Sequence, residues 1–172
     1  MRESGGTADD VVALSRILAR KLRAFIGLPA FVRAWCAPAW LLLGVARVLV
    51  VAVPFTRFSA SLGVPIASPW IPLPTPAQQH RARLIGLAVT TAARHTPWTS
   101  NCLPQALVAH WLLAAFGIPS AVFLGVQRIP QTRGLQAHAW VSTGRIHVTG
   151  GDGFRAHTVV ATFVGSQRVR PS

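Results

Sequence analysis

Apolar positions recur at helical spacing from residue 11. Val11, Leu14, Leu18, Leu22 and Phe25 form one stripe, and Arg16, Arg20 and Arg23 share another side. The pattern predicts a basic amphipathic helix over 11–26 that covers the core with Arg outward; contact with anionic lipid is the other use of such a helix. A nearly unbroken apolar run follows, APAWLLLGVARVLVVAVPF from Ala37 to Phe55. It predicts a helix with Pro38 near its start, ended or kinked by Pro54. Such a run suits a buried or surface-lying helix, a docking surface for a partner, or a membrane span. Arg47 weighs against the span, since one Arg at the bilayer centre costs roughly 3 kcal/mol on insertion scales.

Pro65, Pro69, Pro72, Pro74 and Pro76 mark a stiff extended connector. The expected organisation is therefore an N-terminal helical region over 1–64, a connector over 65–76, and a core over 77–172. Helical spacing resumes at Ala77, with Leu84, Leu87, Ala88 and Thr91 on one face, and stops before Pro97. A further helix begins at once. Thr99, Ser100 or Asn101 can cap it, Pro104 suits its first turn, and Gly117 ends it. Leu103, Leu107, Trp111 and Ala114 make its stripe.

Strand patterns occupy the rest. AVFLGV, Ala121 to Val126, reads as a buried central strand. In LQAHAWV, Leu135 to Val141, Leu135, Ala137, Ala139 and Val141 alternate with Gln136, His138 and Trp140. Ser142-Thr143-Gly144 predicts a hairpin turn, Arg145 to Val148 the returning strand, and TVVATFV from Thr158 a last strand. Helices followed by an antiparallel sheet indicate an α+β fold. The tail Arg168–Ser172 is expected to fray.

Charge sharpens this picture. The chain of 172 residues carries a formal net charge of +13, with 17 Lys and Arg against 4 acids. Lys21 is the single lysine, and the acids are Glu3, Asp9, Asp10 and Asp152. A basic surface suits anionic lipid, nucleic acid or an acidic peptide, although a merely solvated surface would look the same. No nucleic-acid motif is present. The two cysteines give no disulfide framework. No signal-peptide pattern opens the sequence, and a reducing cytoplasm suits a free thiol.

Asp152 is the one carboxylate side chain after residue 10, set beside Gly150, Gly151 and Gly153. Fourteen residues earlier is His138, and upstream is Cys102. Cys102 is expected in the first turn of its helix, where free N–H groups and the positive end of the dipole favour a thiolate. His138 can take the thiol proton, and Asp152 can hold the far ring nitrogen. Asn101 or Gln136 could add an oxyanion donor to the Cys102 N–H, and Trp98 and Trp140 could wall the cleft. Each residue alone has an ordinary alternative: a core Cys, a sheet His, a turn Asp. His80, His95, His110, His147 and His157 show no ligand spacing, so no metal is expected. His147 could line the cleft, but a surface place suits it better. GGDG lacks the Lys and spacing of a phosphate loop, so no cofactor is expected.

The blocks RLIGLAVTTAARHTPWTSNCLPQAL, LLAAFGIPSAVFLGV and AHAWV, with the following Gly and acid, resemble the lasso peptide biosynthesis B2 protein, a transglutaminase-like cysteine protease. VAVPFTRFSASLGV resembles the end of that family's hydrophobic N-terminal helices. The resemblance spans about residues 35–165 and rests on the spaced set PW-x2-NCLPQAL, GIP-x4-LGV and AHAW. It implies a papain/transglutaminase-like core, with a Cys-bearing helix packed on an antiparallel sheet. Cys102, His138 and Asp152 would be the catalytic residues, and the reaction would be removal of a leader from a ribosomal precursor peptide. It further implies a separate PqqD-like B1 protein that binds the leader and a macrolactam synthetase, the C protein, that takes the freed amine. The protein would then be cytoplasmic, with the inner-membrane face as a possible contact. A non-catalytic scaffold and a transglutaminase-like acyl transferase are the alternatives.

Overall fold

The structure is a computed structural model. It describes residues 15–16, 19–66, 73–129 and 134–165, except for the side chains of residues 60, 61 and 152–154. Residues 11–14, Pro69, Pro72 and the tail 168–172, on which expectations were placed, lie outside the described residues.

Helix α1 runs Ala30–Ala52, α2 Pro76–Ala93 and α3 Cys102–Ala115. Strands β1 (Val64–Pro65), β2 (Ala121–Arg128), β3 (Leu135–Thr143), β4 (Ile146–Thr149) and β5 (Thr158–Val164) form one sheet in the order β1-β5-β2-β3-β4. All its pairings are antiparallel. This is the expected α+β architecture. Helices α2 and α3 lie on one face of the sheet, and α1 packs over those two helices.

The core explains the layers. Helix α3 is buried around most of its circumference: Pro104, Ala106, Leu107, Val108, Ala109, His110, Leu112 and Leu113 are all inside. The single stripe expected from Leu103, Leu107, Trp111 and Ala114 is therefore too narrow, because α3 is covered by helices on one side and by the sheet on the other. Ala39, Leu43 and Ala46 of α1 join Ile85 and Val89 of α2, and Val122, Ala139, Val141, Val148 and Phe163 of the sheet, in one cluster with α3. At the far end, Phe31, Trp35 and Phe116 pack ring on ring, and the Arg81 guanidinium sits over Phe31 and Phe116 at 5.3 and 5.2 Å.

Local chemistry sets the helix ends. Thr75 and Gln78 form a reciprocal capping box, and Pro76 opens α2. At the end of α3, Gly117 takes φ +63°. Its N–H donates to Ala114 O, and the Ile118 N–H donates to Leu113 O at 2.9 Å. This is a Schellman closure, with Leu113 and Ile118 both buried.

Several expectations shift. Helix α1 starts at Ala30, directly after Pro29, so Pro38 is internal and not near the start. The inward face of α2 is Ala82, Ile85, Gly86, Ala88, Val89 and Ala92, so Ala88 is buried as expected while Leu87 is 40% exposed. Small residues win that face because the helix presses on β4: a Cβ at Gly86 would collide with the Val148 carbonyl. The connector is tied into the fold at both ends: Pro65 pairs with Phe163 in the sheet, and Pro76 opens α2. The hairpin turn falls at Gly144 and Arg145, because Ser142 and Thr143 are buried in β3. There the Thr143 hydroxyl donates to Pro119 O, and the Ser142 hydroxyl bonds His147 Nδ1. Residues 19–26 are helical, but Leu22, Phe25 and Ile26 are exposed and do not cover the core.

Two consequences can be measured. Gly86→Ala should lower stability by about 2 kcal/mol through overpacking against β4, read as a shift in the denaturation midpoint. His110 is 3% exposed, its Nδ1 is 3.1 Å from the Ser120 hydroxyl, and burial pushes its pKa below the ordinary value. The unfolded chain then binds the proton more readily than the folded one. This contribution is fully present above about pH 6.5 and is lost as pH falls from there toward the folded pKa, at up to ~1.4 kcal/mol per pH unit. Melting of the wild type across that window should show the loss, and His110→Gln should flatten it.

Candidate active site

The segment leading into α3 is pinned by its own polar groups. The Thr96 hydroxyl donates to Ala93 O or Trp98 O, both at 3.0 Å, and lies 2.9 Å from the Ser100 hydroxyl. Gln105 Nε2 donates to Ser100 O at 2.7 Å from the first turn of the helix itself. Trp98 packs on Trp40 at 4.8 Å and against Gly44 of α1, while the Trp40 indole donates to His95 O. These contacts fix where α3 begins, and Cys102 is its first residue.

That position gives the sulfur a particular environment. Asn101 is the exposed N-cap, and its side chain makes no capping bond. Pro104 carries no N–H. The backbone N–H groups of Cys102 and Leu103 therefore stand at the positive end of the helix without a side-chain cap. Cys102 is half-buried and borders the core cluster on the helix side of the sheet. Both cysteines are free thiols. Burial raises the pKa of Cys36, which keeps that thiol protonated.

His138 is held from a different direction. In the β2–β3 register, Phe123 faces Trp140 and Gly125 faces His138. Strand alternation puts these four on the face of the sheet away from the helices, because Val122, Ala139 and Val141 belong to the helix-side core. The rings form a column. Phe123 stacks on Trp140 at 5.5 Å, Trp140 on His138 at 5.9 Å, and His157 lies 5.0 Å from His138 on the other side. His138 Nε2 is 2.9 Å from Gly150 O. A carbonyl can only accept, so Nε2 carries the proton, and in the neutral ring Nδ1 is the nitrogen with a free lone pair.

Glycines make this arrangement possible. A Cβ at Gly125 would lie 2.8 Å from the Trp140 ring and 2.9 Å from His157 Cβ. Gly150 has φ +93°, and a Cβ there would collide with Trp140 Cβ. Only glycine brings this carbonyl so close to the strand. The same turn continues as a 3-10 helix, Gly151–Ala156. Asp152 is on it, two residues beyond the carbonyl that holds His138, and its side chain lies outside the described residues. The His138 Nε2–H donates to Gly150 O, and the bond expected from Asp152 falls on a side chain outside the described residues.

The remaining expected residues fall as follows. Gln136 is exposed on the His138 side of β3. Trp140 is 4% exposed, so it supports the imidazole from beneath and walls no open cleft. Trp98 is committed to α1. His147 is on the surface, as expected. Among the described residues no group of three or more His, Cys, Asp or Glu could hold a metal ion. Cys102 and His138 are not brought into contact: no hydrogen bond joins them among the described residues, and they border opposite faces of the sheet. Among the described residues β4 pairs with β3 only at Val141–Thr143, and the turn after β4 continues along β3 to His138. Phe123, Gly125 and His157 were not singled out from the sequence. The strand register alone could have revealed the first two.

A family model matches residues 45–162, which include the last third of α1, all of α2 and α3, and Cys102, His138 and Asp152. The chain belongs to the transglutaminase-like superfamily. No curated protein and no solved structure matches it. Membership in the transglutaminase-like superfamily points to cysteine-dependent peptidase or acyltransferase chemistry.

Gly150 separates ring orientation from carboxylate charge. Gly150→Ala should release the His138 ring and lower turnover at least about tenfold, a larger effect than on KM. Steady-state kinetics alongside a melting curve would separate this from simple unfolding.

Proposed function

We propose that this transglutaminase-like protein is a leader peptidase that cleaves the precursor of a lasso peptide and frees the core for macrolactam formation. One observation carries the chemistry. A cysteine at the N-terminus of a central helix and an imidazole with an oriented Nε2–H occur in one transglutaminase-like domain, beside the turn that bears the lone downstream acid. The substrate class rests on the spaced blocks PW-x2-NCLPQAL, GIP-x4-LGV and AHAW.

In this reading His138 Nδ1 takes the Cys102 thiol proton, and sulfur attacks the carbonyl at the end of the leader. The N–H groups that open α3 stabilise the oxyanion, with Asn101 or Gln136 as a further donor. The C–N bond breaks, the proton passes from His138 to the departing core amine, and the leader remains as a thioester. Water, deprotonated by His138, then cleaves the C–S bond and regenerates the thiol. Asp152 balances the imidazolium charge. The substrate is presented by a separate B1 protein, and the product amine passes to the C protein. A ribosomal precursor places this work in the cytoplasm.

A second reading is favoured by a specific observation. Cys102 and His138 border opposite faces of the sheet, as they could in a scaffold that has kept the fold without the chemistry. Acyl transfer to an amine is the third, since the superfamily includes it. One experiment sorts them. Precursor, B1 protein and the full chain are incubated together, with and without an added primary amine, and the products are weighed. The peptidase releases leader acid and free core. Cys102→Ala and His138→Gln should each lower that release by about a thousandfold or more. Unchanged release by Cys102→Ala supports the scaffold, and leader carried off on the added amine supports the transferase.

A further inference from the structure

We infer that the outer face of α1 is a docking surface for the anionic lipid of a bilayer, with the helix lying along the interface. This inference is independent of the chemistry proposed for Cys102. The inward side of α1 is used up by the fold, with Val32, Ala39, Leu43 and Ala46 buried. The opposite side carries Leu41, Val45, Val48 and Val51 at 63, 53, 64 and 68% exposure, followed by the exposed Phe55. Ala34, Ala37 and Ala52 extend it. This aliphatic strip is about 27 Å long at 1.5 Å per residue.

Two features choose lipid over a protein. A protein interface carries roughly one hydrogen bond per 100–200 Å². From residue 34 to 55 the sequence holds no Ser, Thr, Asn, Gln, His, Asp or Glu, and Arg47 is its sole charge. A partner chain would find almost nothing to hydrogen-bond, whereas acyl chains require nothing. The ends of the strip are cationic: exposed Arg33 stands in the first turn of α1 and exposed Arg57 just beyond its last. Exposed Arg20, Lys21 and Arg23 lie beside exposed Leu22, Phe25 and Ile26 on residues 19–26, and this stretch is tied to α1 by the Arg33 guanidinium donating to Ile26 O at 3.0 Å. No carboxylate occurs between residues 11 and 151 to offset them. An apolar strip with cationic flanks and no acid fits the headgroup boundary of an anionic membrane. Helix α1 is long and apolar enough to cross a membrane, but its inner side is packed on α2 and α3 from Val32 to Ala46, so it lies on the surface instead.

The test is co-sedimentation of the full chain with vesicles of phosphatidylcholine alone or enriched in phosphatidylglycerol. Binding is expected to the anionic vesicles and to weaken with salt. Leu41→Gln, Val45→Gln and Val48→Gln together should lower partitioning about a hundredfold. Arg20→Gln, Lys21→Gln and Arg23→Gln should each lower it about fivefold. All six positions are exposed, so an unchanged melting temperature verifies folding. Absence of binding overturns the inference, as does equal binding to both vesicle types. A soluble dimer that the Leu41, Val45 and Val48 changes convert to monomer also overturns it, and assigns the face to self-association.

Discussion

A helix buried over nearly its whole circumference has only its ends left for chemistry, and α3 imposes that constraint on this molecule. The sheet covers one side, and α1 and α2 cover the rest. Its C-terminal end is closed by Gly117 and Ile118. Its N-terminal end keeps uncapped N–H groups, and the first residue there is Cys102. The same packing that gives the domain its core thus leaves one polar, electropositive spot on α3, occupied by a thiol. Cys36, in the second turn of α1, has no such end to exploit, and burial raises its pKa.

Close backbone approach is the second organising device. Gly86 lets α2 press on β4, Gly125 leaves space between the Trp140 ring and His157, and Gly150 brings a carbonyl to the His138 ring. Each glycine removes a Cβ where two elements meet, and in two of the three cases the result is to fix an imidazole. A ring stacked on Trp140, flanked by His157 and bonded at Nε2 has little rotational freedom left. That restriction is the entropic half of what an orienting acid does for a catalytic histidine. The electrostatic half requires a carboxylate, and Asp152 is on the turn that supplies the carbonyl.

Periodicity made much of this legible. The alternation in LQAHAWV correctly puts His138 and Trp140 on one face and Ala139 and Val141 on the other, because a strand has one way to turn successive side chains. The C-terminal end of α3 follows from Gly117 as expected, whereas Thr75 and Pro76, read as the end of the connector, in fact cap and open α2. The inward faces of α2 and α3 were less legible. An apolar stripe implies one buried face, and nothing local reveals that a second layer will cover the back of a helix. Residues 19–26 fail for the opposite reason: they have a stripe, and among the described residues it stays exposed at Leu22, Phe25 and Ile26. The site divides in the same way. Residue types identified Cys102 and His138, whereas the ring column and the Gly150 carbonyl depend on contacts between strands and turns that no single segment encodes.

The layering also sets how the two surfaces of the molecule relate. From outside inward come the exposed side of α1, then the α2–α3 layer, then the sheet, and last the face with Phe123, Trp140, His138 and the turn after β4. The aliphatic strip and the imidazole therefore lie on opposite outer layers. A bilayer held against α1 would leave the His138 face of the sheet on the aqueous side. A spanning α1 would instead draw the α2–α3 layer, with Arg81, Arg83 and the buried His110, toward hydrocarbon, at a cost the sequence has no means to offset. The same helix thus shields α3 on its inner side and keeps its outer side free for an interface, with the His138 face of the sheet on the far side of the molecule.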